Sequence, residues 1–125
     1  MAAPRILIID DNEDDVLLAA AQVRRAVGDA RFRRVDTAAA FSSALAEEPW
    51  DLVLCDHNMP SFDSAAALSI AKAAGMPSPF FVYSGEFSRR QAADALANGA
   101  QGVLEKRDTS ALVSLIARFA AAAAP

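Results

Sequence analysis

Five polar residues stand where short apolar runs end: Asp10 and Asp11, then Asp56, Ser84 and Lys106. The runs are RILII before Asp10, LVLC before Asp56, FFVY before Ser84 and GVLE before Lys106. Taken singly, each residue could be an ordinary turn former, helix cap or surface charge. The set, in this order, is specific. Three carboxylates drawn together repel one another and require a cation. Hard oxygen ligands suit Mg²⁺, which keeps several waters and takes only a few carboxylates. A carboxylate beside such an ion can attack phosphorus and form an acyl phosphate. The phosphoryl oxygens then need positive charge and hydrogen-bond donors. Lys106 can supply the charge, Ser84 a hydroxyl, and the backbone amides after Asp56 further donors.

Such a set works only if the chain brings these residues to one edge. The sequence alternates strand-like and helix-like segments. Arg5 to Ile9, Leu52 to Cys55 and Phe80 to Tyr83 are apolar without polar alternation, as expected of strands buried on both faces of a parallel sheet. Phe32 to Val35 is a weaker strand whose arginines suit an edge. Gly102 to Glu105 is a short fifth strand. Asn12 predicts a helix N-cap, and Glu13, Asp14 and Asp15 favour the positive end of its dipole. Val16, Ala20, Val23 and Val27 then repeat at helical spacing, and Gly28 is a natural stop. Thr37 can cap a second helix carrying Phe41 and Leu45, ended near Pro49. A third begins near Ser64, with Leu68, Ala71 and Ala74 on one side and Gly75 at its end. A fourth begins near Ser88, carries Ala92, Ala93 and Leu96, and ends at Asn98 and Gly99. The last begins at Asp108 or Thr109, with Leu112, Leu115, Ile116 and Phe119 at helical spacing. A βα unit thus recurs about every 25 residues, five times, which predicts an α/β sandwich around a parallel sheet. In open parallel sheets functional groups gather at the carboxyl ends of the strands, where the strand order reverses.

Composition narrows the field. A chain of 125 residues fits one domain over residues 1–125, with the Ala-rich end at Pro125 also compatible with excision from a longer chain. Alanine supplies much of the 54% hydrophobic fraction, and alanine reads as helix. No run reaches about 18 uninterrupted apolar residues, and the start lacks a signal-peptide pattern. Cys55 is the one cysteine, so no internal disulfide forms. A cytoplasmic location is expected. Net charge of −4 argues against direct nucleic-acid binding by the whole chain. Arg24, Arg25, Arg31, Arg33 and Arg34 cluster locally, as a solvated face or a docking patch for an acidic partner.

With these residues in place, the chain resembles the receiver domain of bacterial two-component response regulators, the CheY-like family, over essentially its whole length. The resemblance implies a flavodoxin-like (βα)5 sandwich with strand order 2-1-3-4-5. It implies that Asp10 and Asp11 organise Mg²⁺ together with Asp56 and the backbone carbonyl of Asn58. Asp56 is then the phosphoacceptor, Ser84 the switch hydroxyl, Lys106 the contact to the phosphoryl group, and Met59-Pro60 the shaper of the following loop. It implies a phosphoacceptor switch that catalyses only its own phosphorylation and dephosphorylation. The donor is a histidine kinase or a histidine phosphotransfer protein. The output is a protein partner or a fused domain, with self-association into a homodimer also within the family's range and no membrane contact. The first helix is implied as the donor's docking site, with Val16 and Leu17 as contacts or core. The fourth helix, fifth strand and fifth helix are implied as the readout face. Asn58 and Glu86 stand where family members tune hydrolysis.

Three departures stand out. Val103 replaces the aromatic often found three residues before the lysine, so a rotating aromatic coupled to Ser84 is not expected there. Arg107 replaces the usual proline after the lysine. A cis bond before a non-proline residue costs about 2.5–4 kcal/mol, so a trans bond is expected. Ser64 stands where glycine is common. Ser84-Gly85 and Lys106-Arg107-Asp108 resemble a subgroup of receivers found alone or joined to sensor modules. His57, the one histidine, has no partner at metal spacing and reads as a loop residue. Cys55 alternates with Asp56 and is expected in the core, and Trp50 and the phenylalanines are expected as core or partly exposed packing residues. Two rival functions are open to this sequence. One is a receiver-fold binding module that is not phosphorylated. The other is a phosphatase of the haloacid-dehalogenase type, which usually needs a second aspartate where Asn58 stands.

Overall fold

The computed structural model describes residues 3–57, 59, 62–76, 78–85 and 88–123, with side chains to residue 118. Asn58, Pro60, Glu86 and the side chain of Phe119, all singled out above, lie outside the described residues.

The described residues form five strands and five helices in strict alternation: β1 (Arg5–Ile9), α1 (Glu13–Val27), β2 (Arg31–Val35), α2 (Ala38–Glu47), β3 (Leu52–Asp56), α3 (Ser64–Ala73), β4 (Phe80–Ser84), α4 (Arg89–Ala97), β5 (Gly102–Glu105) and α5 (Thr109–Ala123). All strand pairs are parallel, in the order β2-β1-β3-β4-β5. β2 is an edge strand, as its arginines imply. The chain passes from β2 across β1 to β3, so the order reverses beside β1. This is the place where an open α/β sheet leaves a crevice at its carboxyl edge.

The sheet separates two cores. Ile6, Ile8, Leu52, Leu54 and Tyr83 pack with Val16, Ala19 and Val23 of α1 and Leu112, Leu115 and Ile116 of α5. Leu7, Ile9, Val53, Cys55 and Val82 pack on the other side with Phe41, Ala67, Leu68, Ala71 and Ala95. Successive strand residues therefore serve opposite faces, and both faces are dry. Trp50 is buried and donates its indole N–H to the Ala44 carbonyl at 3.0 Å.

The helix starts follow local capping chemistry. Asn12, Thr37 and Ser88 each accept a backbone N–H three residues on, and Ser88 forms a reciprocal capping box with Gln91. Asp63 does the same for α3. Gly28 ends α1 with φ of +89°, a conformation that favours glycine. Two helix faces differ from expectation. In α4 the buried residue is Ala95, while Ala93 and Leu96 are exposed. A run of alanines gives the periodicity too little contrast to choose a face. Ala74 is the exposed C-cap of α3 rather than part of its buried side. In α1, Val16 enters the core, whereas Leu17 and Leu18 are exposed. No helix among the described residues is long and apolar enough to cross a membrane.

Candidate functional site

β3 and β4 each run one residue further than their apolar stretch suggests, so Asp56 and Ser84 are the last residues of strands rather than the first of loops. Asp56 lies in register with Tyr83, and the ladder continues as His57 N–H donates to the Tyr83 carbonyl at 3.1 Å. Asp10 continues the alternation of Ile6 and Ile8, and Asp56 that of Leu52 and Leu54. Both carboxylates thus emerge at the carboxyl end of the α1/α5 face. Asp10 is fully buried and Asp56 nearly so, while Asp11 is exposed. Oxygens of Asp10, Asp11 and Asp56 all lie within 4.8 Å of one another. Three hard oxygen donors this close, two of them buried, fit a small divalent cation such as Mg²⁺.

Lys106 follows β5 and is tied to β4 by its own N–H, which donates to the Ser84 carbonyl at 2.7 Å. Its ammonium reaches across to Asp10 Oδ2 at 2.9 Å, Asp56 Oδ2 at 3.2 Å and Asp15 Oδ2 at 2.9 Å. Burial alone would lower its pKa. Hydrogen bonds to Asp15 and Asp10, and the charges of Asp10 and Asp56, more than offset this and hold the ammonium above the usual lysine range. Lys106 is therefore charged at any physiological pH. The peptide bond after it is trans, as expected with Arg107 there.

Asp10 is held on both oxygens. Oδ1 accepts the Asn12 N–H at 2.9 Å, and Oδ2 accepts the Tyr83 hydroxyl at 2.5 Å as well as Lys106. Lys106 also lies 5.0 Å from the centre of the Tyr83 ring. Burial, followed by the charge and hydrogen bond of Asp10, pushes the Tyr83 phenol far above its ordinary range. Ser84 is fully buried at the same rim. His57 turns its ring to α3, with Nδ1 3.1 Å from the buried Ser64 Oγ. Cys55 is buried in the opposite core, and burial with the nearby Asp56 charge pushes its thiol up, so it is inert.

The structure thus brings Asp10, Asp11, Asp56, Ser84 and Lys106 to one edge. Asn58 lies outside the described residues. Two participants escaped the sequence reading: Asp15 and Tyr83. Asp15 stands one helical turn after Asp11, and Tyr83 shares a strand face with Phe81. Both signals were available, but neither names a partner.

The arginine cluster lies along α1 and the β2 edge and reaches the rim through Arg34, whose Nη1 donates to the Asp10 backbone carbonyl at 3.2 Å. Arg33 pairs with Glu47, Arg34 with Asp36 at 3.3 Å, and Arg24 stacks over Phe32. Such pairing consumes part of its charge locally.

Comparison with known proteins agrees with this architecture. The receiver domain of a putative LuxO repressor from Vibrio parahaemolyticus superposes with a TM-score of 0.83 at 18% identity, covering 97% of this chain and 92% of that one. The phosphorylated cyanobacterial phytochrome response regulator RcpA gives 0.76 at 19% identity, covering 99% and 98%. The beryllofluoride-activated NtrC4 receiver domain dimer gives 0.80 at 21% identity, covering 94% and 97%. Among curated proteins, none matches this chain. The family model for the response regulator receiver domain matches residues 6–117. The chain therefore belongs to the response regulator receiver domain family of two-component signalling, whose members are phosphoaccepting signalling domains that typically bind Mg²⁺ at an acidic pocket.

Proposed function

We propose that residues 1–125 form one receiver domain that takes a phosphoryl group onto Asp56 from a histidine kinase or histidine phosphotransfer protein. The observation that carries this is the convergence of Lys106 on Asp10 and Asp56 across β1, β3 and β5. A carboxylate oxygen of Asp56 attacks phosphorus in line. The phosphorus–nitrogen bond of the donor phosphohistidine breaks, its electron pair stays on the imidazole, and an acyl phosphate remains on Asp56. Asp10, Asp11 and Asp56, with the backbone carbonyl of Asn58, are the residues that would hold Mg²⁺. When bound there, Mg²⁺ supplies positive charge to the phosphoryl oxygens. Lys106 supplies the remaining charge from the β5 side. Hydrolysis returns Asp56, so the domain acts on itself and turns over no separate substrate.

The phosphoryl group then biases a two-state equilibrium through Ser84 and the loop after it. The outcome is read at α4, β5 and α5 by a protein partner, a fused output domain or a second copy. Val103 leaves no aromatic on β5 to rotate, so the switch rests on Ser84 and the neighbouring backbone. The exposed Leu17 and Leu18 make α1 suitable for docking the donor. The setting is cytoplasmic, where such kinases present phosphohistidine.

The test is labelling with acetyl phosphate in Mg²⁺. Wild-type chain is expected to gain one phosphoryl group labile to base and hydroxylamine, and Asp56→Asn none. Undiminished labelling of Asp56→Asn would remove Asp56 from the role.

A further inference from the structure

Lys106 has one partner more than phosphoacceptor chemistry uses. An ammonium carries three N–H donors, and here three carboxylates meet them. Asp10 and Asp56 belong to the cluster able to hold a cation; Asp15 does not. Asp15 lies on the first turn of α1, 91 residues away from the lysine. Its backbone is fixed by its own N–H, which donates to Asn12 Oδ1 at 3.1 Å. Beside the pair opens a cleft of about 50 Å³ lined by Asp15, Leu18, Gln22, Tyr83 and Lys106, among others.

A divalent cation and an ammonium repel each other strongly at this range. Asp10 and Asp56, two of the three partners of Lys106, are also residues that would hold a cation, and in doing so they would hold the ammonium less firmly. A lysine on a flexible four-carbon stem then swings into water unless a third anion retains it. Asp15 is that anion, and the cleft gives the ammonium room to follow it. We propose that Asp15 is a positioning residue. It takes over the Lys106 ammonium when Asp10 and Asp56 turn to the cation, and keeps it within reach of the phosphoryl group. This deepens the phosphoacceptor reading above and rests on it. With Asp15 neutral, the lysine can pair only with the cation's own ligands, so the cation must displace it outright. Metal binding and phosphoryl binding then weaken together.

The test compares Asp15→Asn, Asp15→Glu and Asp14→Asn in the full chain. Asp14 is exposed on the same turn, loses the same charge, and is not a partner of Lys106. Mg²⁺ affinity is read from amide chemical shifts in an NMR titration. Beryllofluoride affinity at saturating Mg²⁺ is read from the same signals. Asp15→Asn is expected to weaken both by about tenfold, the usual loss when a group orienting a metal site is removed. Asp14→Asn should change them by no more than about twofold. Asp15→Glu should restore most of the loss. In a Lys106→Met background the effect of Asp15→Asn on Mg²⁺ should fall to that of Asp14→Asn. Equal behaviour of Asp15→Asn and Asp14→Asn, or tighter binding by Asp15→Asn, overturns the inference and leaves the phosphoacceptor reading intact. A wild-type chain indifferent to Mg²⁺ and beryllofluoride removes both.

Discussion

Tyr83 is the residue through which the sheet itself donates to the most buried carboxylate of the edge. Asp10 has no exposed surface, and a buried carboxylate stays ionised only when donors replace its lost water. Asn12 N–H, the Tyr83 hydroxyl and Lys106 are those donors. The upward shift of the phenol makes Tyr83 a donor, never a competing anion, wherever the protein is folded. Tyr83→Phe keeps the ring in the α1/α5 core and under Lys106, and removes only the hydrogen bond. We expect a loss of about 1.5–3 kcal/mol in urea unfolding with EDTA present, the range for a hydrogen bond to a charged group. Adding Mg²⁺ should recover part of that loss, because a cation on Asp10 compensates the same charge. An unchanged midpoint would show that Asn12 and Lys106 satisfy Asp10 without help.

At the scale of the element, the first turn of α1 joins capping to chemistry. Asn12 donates its N–H to Asp10 and accepts that of Asp15, so one cap fixes both acids that Lys106 touches from this side. Ser88 caps α4 in the same way, through its reciprocal bonds with Gln91. Asn12→Ala and Ser88→Ala should each cost about 1 kcal/mol. For a chain of this length that lowers the melting temperature by about 3–6 °C. Only Asn12→Ala should also weaken Mg²⁺ binding, which a titration monitored by NMR would report. Asn12→Ala keeps the backbone N–H that holds Asp10 and removes only the side-chain acceptor for Asp15, so equal Mg²⁺ affinity in the two variants would mean that Asp15 holds its place without the cap. Caps of this kind are legible in sequence because donor and acceptor sit three residues apart. The strands were legible for a related reason: β1, β3 and β4 are buried on both faces, so apolar runs mark them and the polar residue that ends each run marks the rim. Tyr83 and Asp15 were not legible as site residues. Their partners are 73 and 91 residues away, and nothing local distinguishes a tyrosine that caps a carboxylate from one that fills a core. The face of α4 was lost for want of contrast among alanines.

Across the whole molecule, the sheet places its titratable groups at the seam between two dry cores, and that sets how the fold responds to base. Cys55, Tyr83 and Lys106 all hold their protons more tightly in the native state than in the unfolded chain, whose values lie near 9.0, 10.0 and 10.5. For the thiol and the phenol the cause is first burial, then the neighbouring aspartates. For the lysine those carboxylates outweigh the opposing effect of burial. In each case the unfolded chain releases its proton first. The native state then binds more protons than the unfolded state, and stability falls as pH rises. Below about pH 9 the three contributions are fully present. Above it each group removes up to about 1.4 kcal/mol per pH unit. Urea unfolding in EDTA should therefore give a nearly constant contribution from these groups between about pH 7 and 8.5, then a loss that steepens past about pH 10. Tyr83→Phe should lower stability at neutral pH yet flatten the alkaline decline, because one of the three protons no longer counts. A variant that declines as steeply as wild type would place the alkaline sensitivity in Cys55 and Lys106 alone. The rim would then be held by the lysine's carboxylates, with the phenol a bystander to its charge.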